Sequence, residues 1–290
     1  MLIRELLQSK PLTFSCELFP PKAGADLARA DEVVEQTARL APDFISVTYG
    51  ASGNTSHNTL RMARHIEEQN CTALAHLTCV SATRADIGVR LDAMLESGVQ
   101  NVLALRGDLP EGETRPQDAC FQHADALVRE IRAHGGFCVG GACYPEGHVE
   151  SASQEEDIAY LKQKVEAGCD FLTTQMFFDN NVLYRFLYKL YAKGIAIPVL
   201  AGIMPVTNKK QIARIVRLSG TSLPPRFQNI LDRFGGDSAS MEEAGIAYAT
   251  EQIIDLVANG VRGVHLYTMN RPDIAGRIMA NLCHILGKTE

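Results

Sequence analysis

The chain contains no Cys-x-x-Cys pair, no apolar run approaching the ~18 residues of a membrane-spanning helix, and no excess of basic side chains. Each absence removes a class of protein. The eight cysteines mostly lie inside apolar runs without ligand spacing, so buried, reduced thiols are expected rather than disulfides or zinc ligands. A net charge of −6 argues against general affinity for nucleic acid or anionic membranes. The apolar start, Met1-Leu2-Ile3-Arg4-Glu5-Leu6-Leu7, lacks the long core and small-residue cleavage site of a secretory signal, so a cytoplasmic protein is expected.

What is present is an alternation. From residue 13 onward, short apolar runs trade places with longer amphipathic segments, the pattern of repeated βα units. Strands are expected over 13–19, 43–49, 72–79, 101–106, 137–144, 171–177, 197–203 and 263–267. Helices are expected over 26–40, 84–97, 154–167, 241–258 and 272–286, with Gly98 and Gly168 as C-terminal stops. An extra helix over 223–234, opened by Pro224 and Pro225, precedes the last βα unit. Eight parallel strands with covering helices predict a (β/α)₈ TIM barrel, a single α/β domain over 1–290, and the length suits one, roughly 250 residues being typical. The other α/β option, a doubly wound sheet, is disfavoured because no Gly-x-Gly-x-x-Gly follows a strand.

Barrel enzymes take their chemistry from the carboxyl ends of the strands, so those positions define the candidate site. The run Leu103-Ala104-Leu105-Arg106-Gly107-Asp108-Leu109-Pro110 is the clearest: a buried strand cut off by two opposite charges around a glycine. The other ends supply Glu17, Thr48 and Tyr49, His76, Tyr144 and His148, Gln175, and Tyr267 followed by Arg271. Any one of these could be an ordinary packing or turn residue. Burying Glu17, Arg106, Asp108 and Gln175 together is costly unless they pair or serve a ligand. No His-x-His stands on the first strand and no strand carries a lysine, which disfavours metal hydrolysis and Schiff-base chemistry. Two carboxylates among hydroxyl, amide and aromatic groups suit the orientation of a flat heteroaromatic ligand and the movement of a proton.

One helix face adds a further possibility. Asp157, Tyr160, Leu161 and Lys164 recur at i, i+3, i+4 and i+7, so an acid and a base share a face beside the strand of Tyr144. They either hold a ribose hydroxyl and a phosphate or form a solvated helix face.

Eight motifs, in order along the chain, resemble those of the methylenetetrahydrofolate reductase family. They are Phe14-Ser15-Cys16-Glu17-Leu18-Phe19-Pro20-Pro21, Ser46-Val47-Thr48-Tyr49-Gly50, His76-Leu77-Thr78-Cys79, the 103–110 run, Tyr144-Pro145-Glu146-Gly147-His148, Thr174-Gln175-Met176-Phe177-Phe178-Asp179, Gly202-Ile203-Met204-Pro205-Val206 and His265-Leu266-Tyr267-Thr268-Met269-Asn270-Arg271. The resemblance implies a barrel holding non-covalent FAD, which NADH or NADPH reduces before 5,10-methylenetetrahydrofolate is reduced to 5-methyltetrahydrofolate in the same pocket. By position it implies that Glu17 is the acid enabling protonation at N10 of the folate, and that Asp108 contacts the pterin near the flavin. Gln175, Tyr267 and Arg271 fall at folate-contacting positions. Thr48, Tyr49, Ala51, His76, Arg106, Gly107, Asp108, Ala124, Tyr144, His148, Asp157 and Lys164 fall at FAD-lining ones.

Three positions depart from the family pattern. Ile215 stands where some relatives have a stacking phenylalanine, Leu183 where a tyrosine lies near the folate, and Gln163 where a basic residue is frequent. The resemblance also implies a homo-oligomer in one-carbon metabolism and methionine biosynthesis, without the regulatory domain of larger relatives. Alternatives are another folate- or flavin-dependent barrel enzyme, or a non-catalytic barrel that binds either ligand.

Overall fold

A computed structural model describes residues 1–21, 27–49, 56–108 and 120–288. Among these the order is α1 (Ile3–Ser9), β1 (Thr13–Leu18), α2 (Leu27–Arg39), β2 (Phe44–Val47), α3 (Ser56–Glu68), β3 (Thr72–Thr78), α4 (Arg84–Glu96), β4 (Asn101–Leu105), α5 (Ala124–His134), β5 (Cys138–Cys143), α6 (Gln154–Glu166), β6 (Phe171–Thr174), α7 (Asn180–Ala192), β7 (Val199–Ile203), α8 (Lys209–Ser219), α9 (Pro225–Phe234), α10 (Ser238–Ala258), β8 (Gly263–Tyr267) and α11 (Pro272–Asn281). The strands pair in parallel in sequence order, and β8 closes on β1, giving the expected (β/α)₈ barrel with an extra helix before the last βα unit. Among the described residues no helix is long and apolar enough to cross a membrane.

Strand periodicity divides each strand between two environments. Phe14, Cys16 and Leu18 of β1 pack outward against the helices, as do Ile45 and Val47 of β2 and Val264 and Leu266 of β8. The alternate positions therefore face the barrel interior. At its lower end these are Phe44, Leu74, Leu103, Phe171 and Leu200, which pack together with Ile3, Leu6 and Leu7 of α1. Gly140 makes room for them, since a Cβ there would stand 2.5 Å from Phe171 Cζ.

The first helix was not anticipated from the sequence, where the opening run was considered only as a leader. Its apolar residues at 3, 6 and 7 follow helical spacing, and they plug the bottom of the barrel. The buried Asn101 amide holds it there, accepting from Ile3 N at 2.8 Å and donating to the carbonyls of Met1 and Ala73 at 3.1 Å.

The sixth strand ends at Thr174, three residues earlier than expected. Gln175 Oε1 accepts from Met176 N at 2.9 Å, satisfying that amide outside the ladder. Met176 and Phe178 then join Met204, Phe227 and Met241 in a separate apolar cluster beneath α8, α9 and α10. Phe227 of α9 stacks on Phe178 at 4.9 Å, which fixes the extra helix to the loop that follows β6. The last helix also stops early, at Asn281, and turns follow it.

Candidate active site

Register brings the inward residues of β1, β2, β3 and β8 together above the apolar plug. Ser15 stands beside His265, and Glu17 lies between Ser46 and Tyr267. Glu17 Oε2 is 3.5 Å from Nε2 of His265 and 3.5 Å from Nε2 of His76. Ser46 Oγ lies 3.3 Å from His265 Nε2 and 3.5 Å from Glu17 Oε2.

Ser15 Oγ lies 2.7 Å from His265 Nδ1 and 3.1 Å from the carbonyl of Val264, so the imidazole is anchored through Nδ1 on one side and turns Nε2 toward Ser46 and Glu17 on the other. The ring can exchange a proton with a partner at either nitrogen, which places a group able to take or give a proton beside the Glu17 carboxyl.

His76 plays a different part. Burial drives its pKa down to about 4, the nearby Glu17 charge opposing the shift only partly, so it is neutral at physiological pH. Its enclosed Nε2 has no hydrogen-bond partner among the described residues, and the approach of the neutral ring to Glu17 is a contact without an ion pair. Tyr267 spends its hydroxyl on the carbonyl of Thr174 at 2.5 Å, while its ring meets His265 edge-on at 5.4 Å. Burial, reinforced by the Glu17 charge, holds that phenol well above its ordinary range, so it serves as a fixed ring and donor.

Beside this group, between β4, β5, α5 and α6, runs a cleft of about 360 Å³. Arg106, Ala124, Tyr144, His148, Asp157 and Lys164 all line it, six positions that the sequence comparison had placed in one set. Asp157 is buried, and burial raises its carboxyl pKa despite the opposing pull of His148 and Lys164. Lys164 Nζ donates to the carbonyl of Ala142. The helix face of Asp157 and Lys164 is thus turned to the barrel, while Tyr160 between them is half exposed. Desolvation raises the Tyr144 hydroxyl to about 12, and its ring packs edge-on against His148 at 4.6 Å.

The other expected residues scatter around the mouth. Asp108 leaves β4 with its side chain 90% exposed and 3.8 Å from Arg106 Nη2. Gly107 before it has φ +82°, and a Cβ there would strike Thr78 at 2.8 Å. Thr48 lies at the end of β2, its amide donating to Leu18 O at 2.9 Å. Tyr49 carries an enclosed hydroxyl without a hydrogen-bond partner among the described residues, and the Arg90 guanidinium lies 5.8 Å from its ring centroid. Gln175 is partly buried at the end of β6. Arg271 is held by Asp273 at 2.6 Å and Glu242 at 3.0 Å at the start of α11. Ala51 lies outside the described residues. Of the departures, Gln163 lines the cleft, Ile215 packs on the cluster around Phe178, and Leu183 of α7 is buried in the core between helices and barrel.

Sequence reasoning passed over Ser15, Ser46 and His265 as site residues, although all three lie inside motifs it had singled out. The signal was the two-residue alternation: Ser15 shares the parity of Glu17, and His265 that of Tyr267.

Fold and site together define an α/β-barrel whose open end carries a carboxylic acid coupled to an imidazole, next to a cleft with an arginine and a lysine. The family model described as "Methylenetetrahydrofolate reductase" matches residues 2–283, and the chain belongs to that family. It is 34% identical over 283 residues to "Methylenetetrahydrofolate reductase (NADH) 1" of Zea mays, covering 93% of this chain and 48% of the maize protein. The chain thus spans about half the length of the plant relatives. With "5,10-methylenetetrahydrofolate reductase" of Pectobacterium carotovorum it shares 32% identity over 277 residues, 95% of this chain and 90% of the relative. A solved structure of an uncharacterized protein from Clostridium thermocellum, described as binding two copies of 5-methyl-5,6,7,8-tetrahydrofolic acid, superposes with a TM-score of 0.68 at 15% identity. It covers 98% of each chain and shows likeness of fold.

Proposed function

We propose that this chain reduces 5,10-methylenetetrahydrofolate to 5-methyltetrahydrofolate, using a nicotinamide reductant and a non-covalent FAD seated in the cleft, with the two substrates taking turns at one mouth. The observation that carries the reading is the position of Glu17, a carboxyl at the barrel mouth with the His265 imidazole 3.5 Å away. NADH is the reductant proposed, in keeping with the name of the maize relative.

The residues present fit a flavin dinucleotide. His76 Nε2 and Tyr49 Oη are enclosed polar atoms without hydrogen-bond partners among the described residues, which is costly unless a ligand meets them. The cleft supplies Arg106 and Lys164 for anionic groups, and the buried Asp157 as an acceptor for a hydroxyl. When bound, the flavin would carry the hydride chemistry.

The chain's own contribution is proton delivery and orientation. Opening the five-membered ring of the folate requires a proton at N10, and Glu17 is the acid placed to give it. His265 and Ser46 hold the Glu17 carboxyl in place. The Tyr267 ring and Gln175 frame one side of the mouth, Asp108 the other.

Glu17→Gln keeps size and hydrogen-bonding capacity but removes the acid. Stopped-flow absorbance should show flavin reduction by NADH within about threefold of the parent, and reoxidation by the folate slower by about 100-fold or more. Equal loss in both half-reactions would remove Glu17 from the proposed role, and a purified protein that takes up no FAD would remove the flavin.

A further inference from the structure

The cleft holds more negative than positive residues. Among the described residues lining it, Asp125, Glu150, Glu156 and Asp157 stand against Arg106 and Lys164. Several of these are already engaged. Asp125 pairs with Arg129 at 2.7 Å, outside the cleft lining, and Glu156 accepts from Ala152 N at 2.7 Å. Lys164 is spent on the carbonyl of Ala142, and the buried Asp157 lies near it and His148. The guanidinium fork of Arg106 is therefore the group best built to receive an oxyanion bidentately.

That fork is already filled. Arg106 Nη2 donates to Glu150 Oε1 at 2.8 Å, and Nη1 donates to Glu150 Oε2, the two-point geometry that a carboxylate shares with a phosphate. A third donor, Nε, points to the carbonyl of Gly107 at 3.2 Å. Glu150 belongs to the loop after β5 rather than to a strand or helix, and its backbone amide donates to His148 Nδ1 at 3.2 Å. The two partners differ in exposure: the Arg106 side chain is 24% exposed and that of Glu150 is 59% exposed. Glu150 can leave into water at little desolvation cost, whereas Arg106 cannot follow it.

We propose that Glu150 is a resident counter-ion that competes with the phosphate oxygens of the ligand for the Arg106 fork, and so sets the affinity of the cleft for anions. This rests on reading the cleft as the seat of a dinucleotide. Binding then exchanges one bidentate oxyanion for another at Arg106, and the free Glu150 turns to solvent. Empty, the chain keeps a partly buried arginine paired; loaded, it gains only the difference between two similar contacts. The consequence is opposite in sign to the usual effect of altering a cleft residue, because removing the Glu150 charge strengthens binding.

The test uses the flavin-free full chain, its Glu150→Gln variant and its Arg106→Gln variant, with two probes: FAD by flavin fluorescence and inorganic pyrophosphate by titration calorimetry. Glu150→Gln keeps the shape and is largely exposed, so it should fold, as circular dichroism would verify. It should bind both probes about fivefold more tightly or better, and Arg106→Gln should bind both more weakly. Tighter pyrophosphate binding with no FAD binding to any of the proteins would keep the exchange and remove the flavin reading. Pyrophosphate affinity equal to or weaker than the parent's in Glu150→Gln, or no binding to either protein, would overturn the proposal, leaving Glu150 as a strut that orients Arg106.

Discussion

His265 bridges Ser15 and Glu17, its Nδ1 2.7 Å from Ser15 Oγ and its Nε2 3.5 Å from Glu17 Oε2. The pairing crosses the seam where the barrel closes, since Ser15 and Glu17 stand on β1 and His265 on β8. Closure of the fold and assembly of the acid are thus one event. A strand register shifted by one residue would turn Ser15 and Glu17 outward and break both contacts.

His265 acts through Glu17, so its replacement should be selective. In His265→Gln the reoxidation of the flavin by folate should slow by about 10- to 100-fold, with reduction by NADH within about twofold of the parent. Ser15→Ala frees the imidazole to change tautomer and should give a smaller loss of the same kind. The decisive reading is the pH profile of the folate half-reaction, which should move in both variants. A uniform loss across both half-reactions with an unmoved profile would mark a packing defect.

The buried His76 gives the ligand-free protein an acid sensitivity. Burial lowers its pKa to about 4 in the folded chain, against about 6.5 for a solvated histidine. Below that value the unfolded chain binds a proton that the folded chain refuses, so stability is complete above about pH 6.5 and declines as pH falls toward 4. The shift corresponds to a loss on the order of 3 kcal/mol across the window. Urea midpoints at pH 7.5 and pH 5 should therefore lie closer together in His76→Gln than in the parent. Equal separation in the two proteins would show that His76 protonates without resistance.

The barrel was legible because parallel strands covered on both sides must be apolar, and the runs around Ile45, Leu103 and Leu172 have no other easy home. Strand ends were legible for residues with a strong local signal, such as Arg106 and Asp108 about Gly107. What stayed hidden depended on partners distant in sequence. Ser15 and His265 are 250 residues apart, and nothing in the two motifs that contain them says that they meet. The first helix has helical apolar spacing at 3, 6 and 7, but its seven residues are too few to stand alone, and it is the barrel floor that holds them in a helix. Glu150 pairs with Arg106 from 44 residues away, a contact with no local sequence signal.

Gly202 shows how a residue without a side chain shapes the mouth. It sits on β7 between β6 and β8, and a Cβ there would press on the Thr174 carbonyl oxygen and come within 2.7 Å of both Cε2 and Oη of Tyr267. The glycine is what lets the Tyr267 ring cross β7 and reach Thr174 at 2.5 Å. Gly202→Ala should therefore cost about 1–3 kcal/mol in urea unfolding and displace the ring that touches His265. Tyr267→Phe alone should cost about 1 kcal/mol for the lost hydrogen bond. Because both changes act on the same contact, the double variant should lose less than the sum of the two. Folate half-reaction rates should follow the same order, with the double variant no slower than Gly202→Ala. Strict additivity of the unfolding energies would show that the alanine methyl is absorbed elsewhere and that Gly202 does not hold the Tyr267 ring in place.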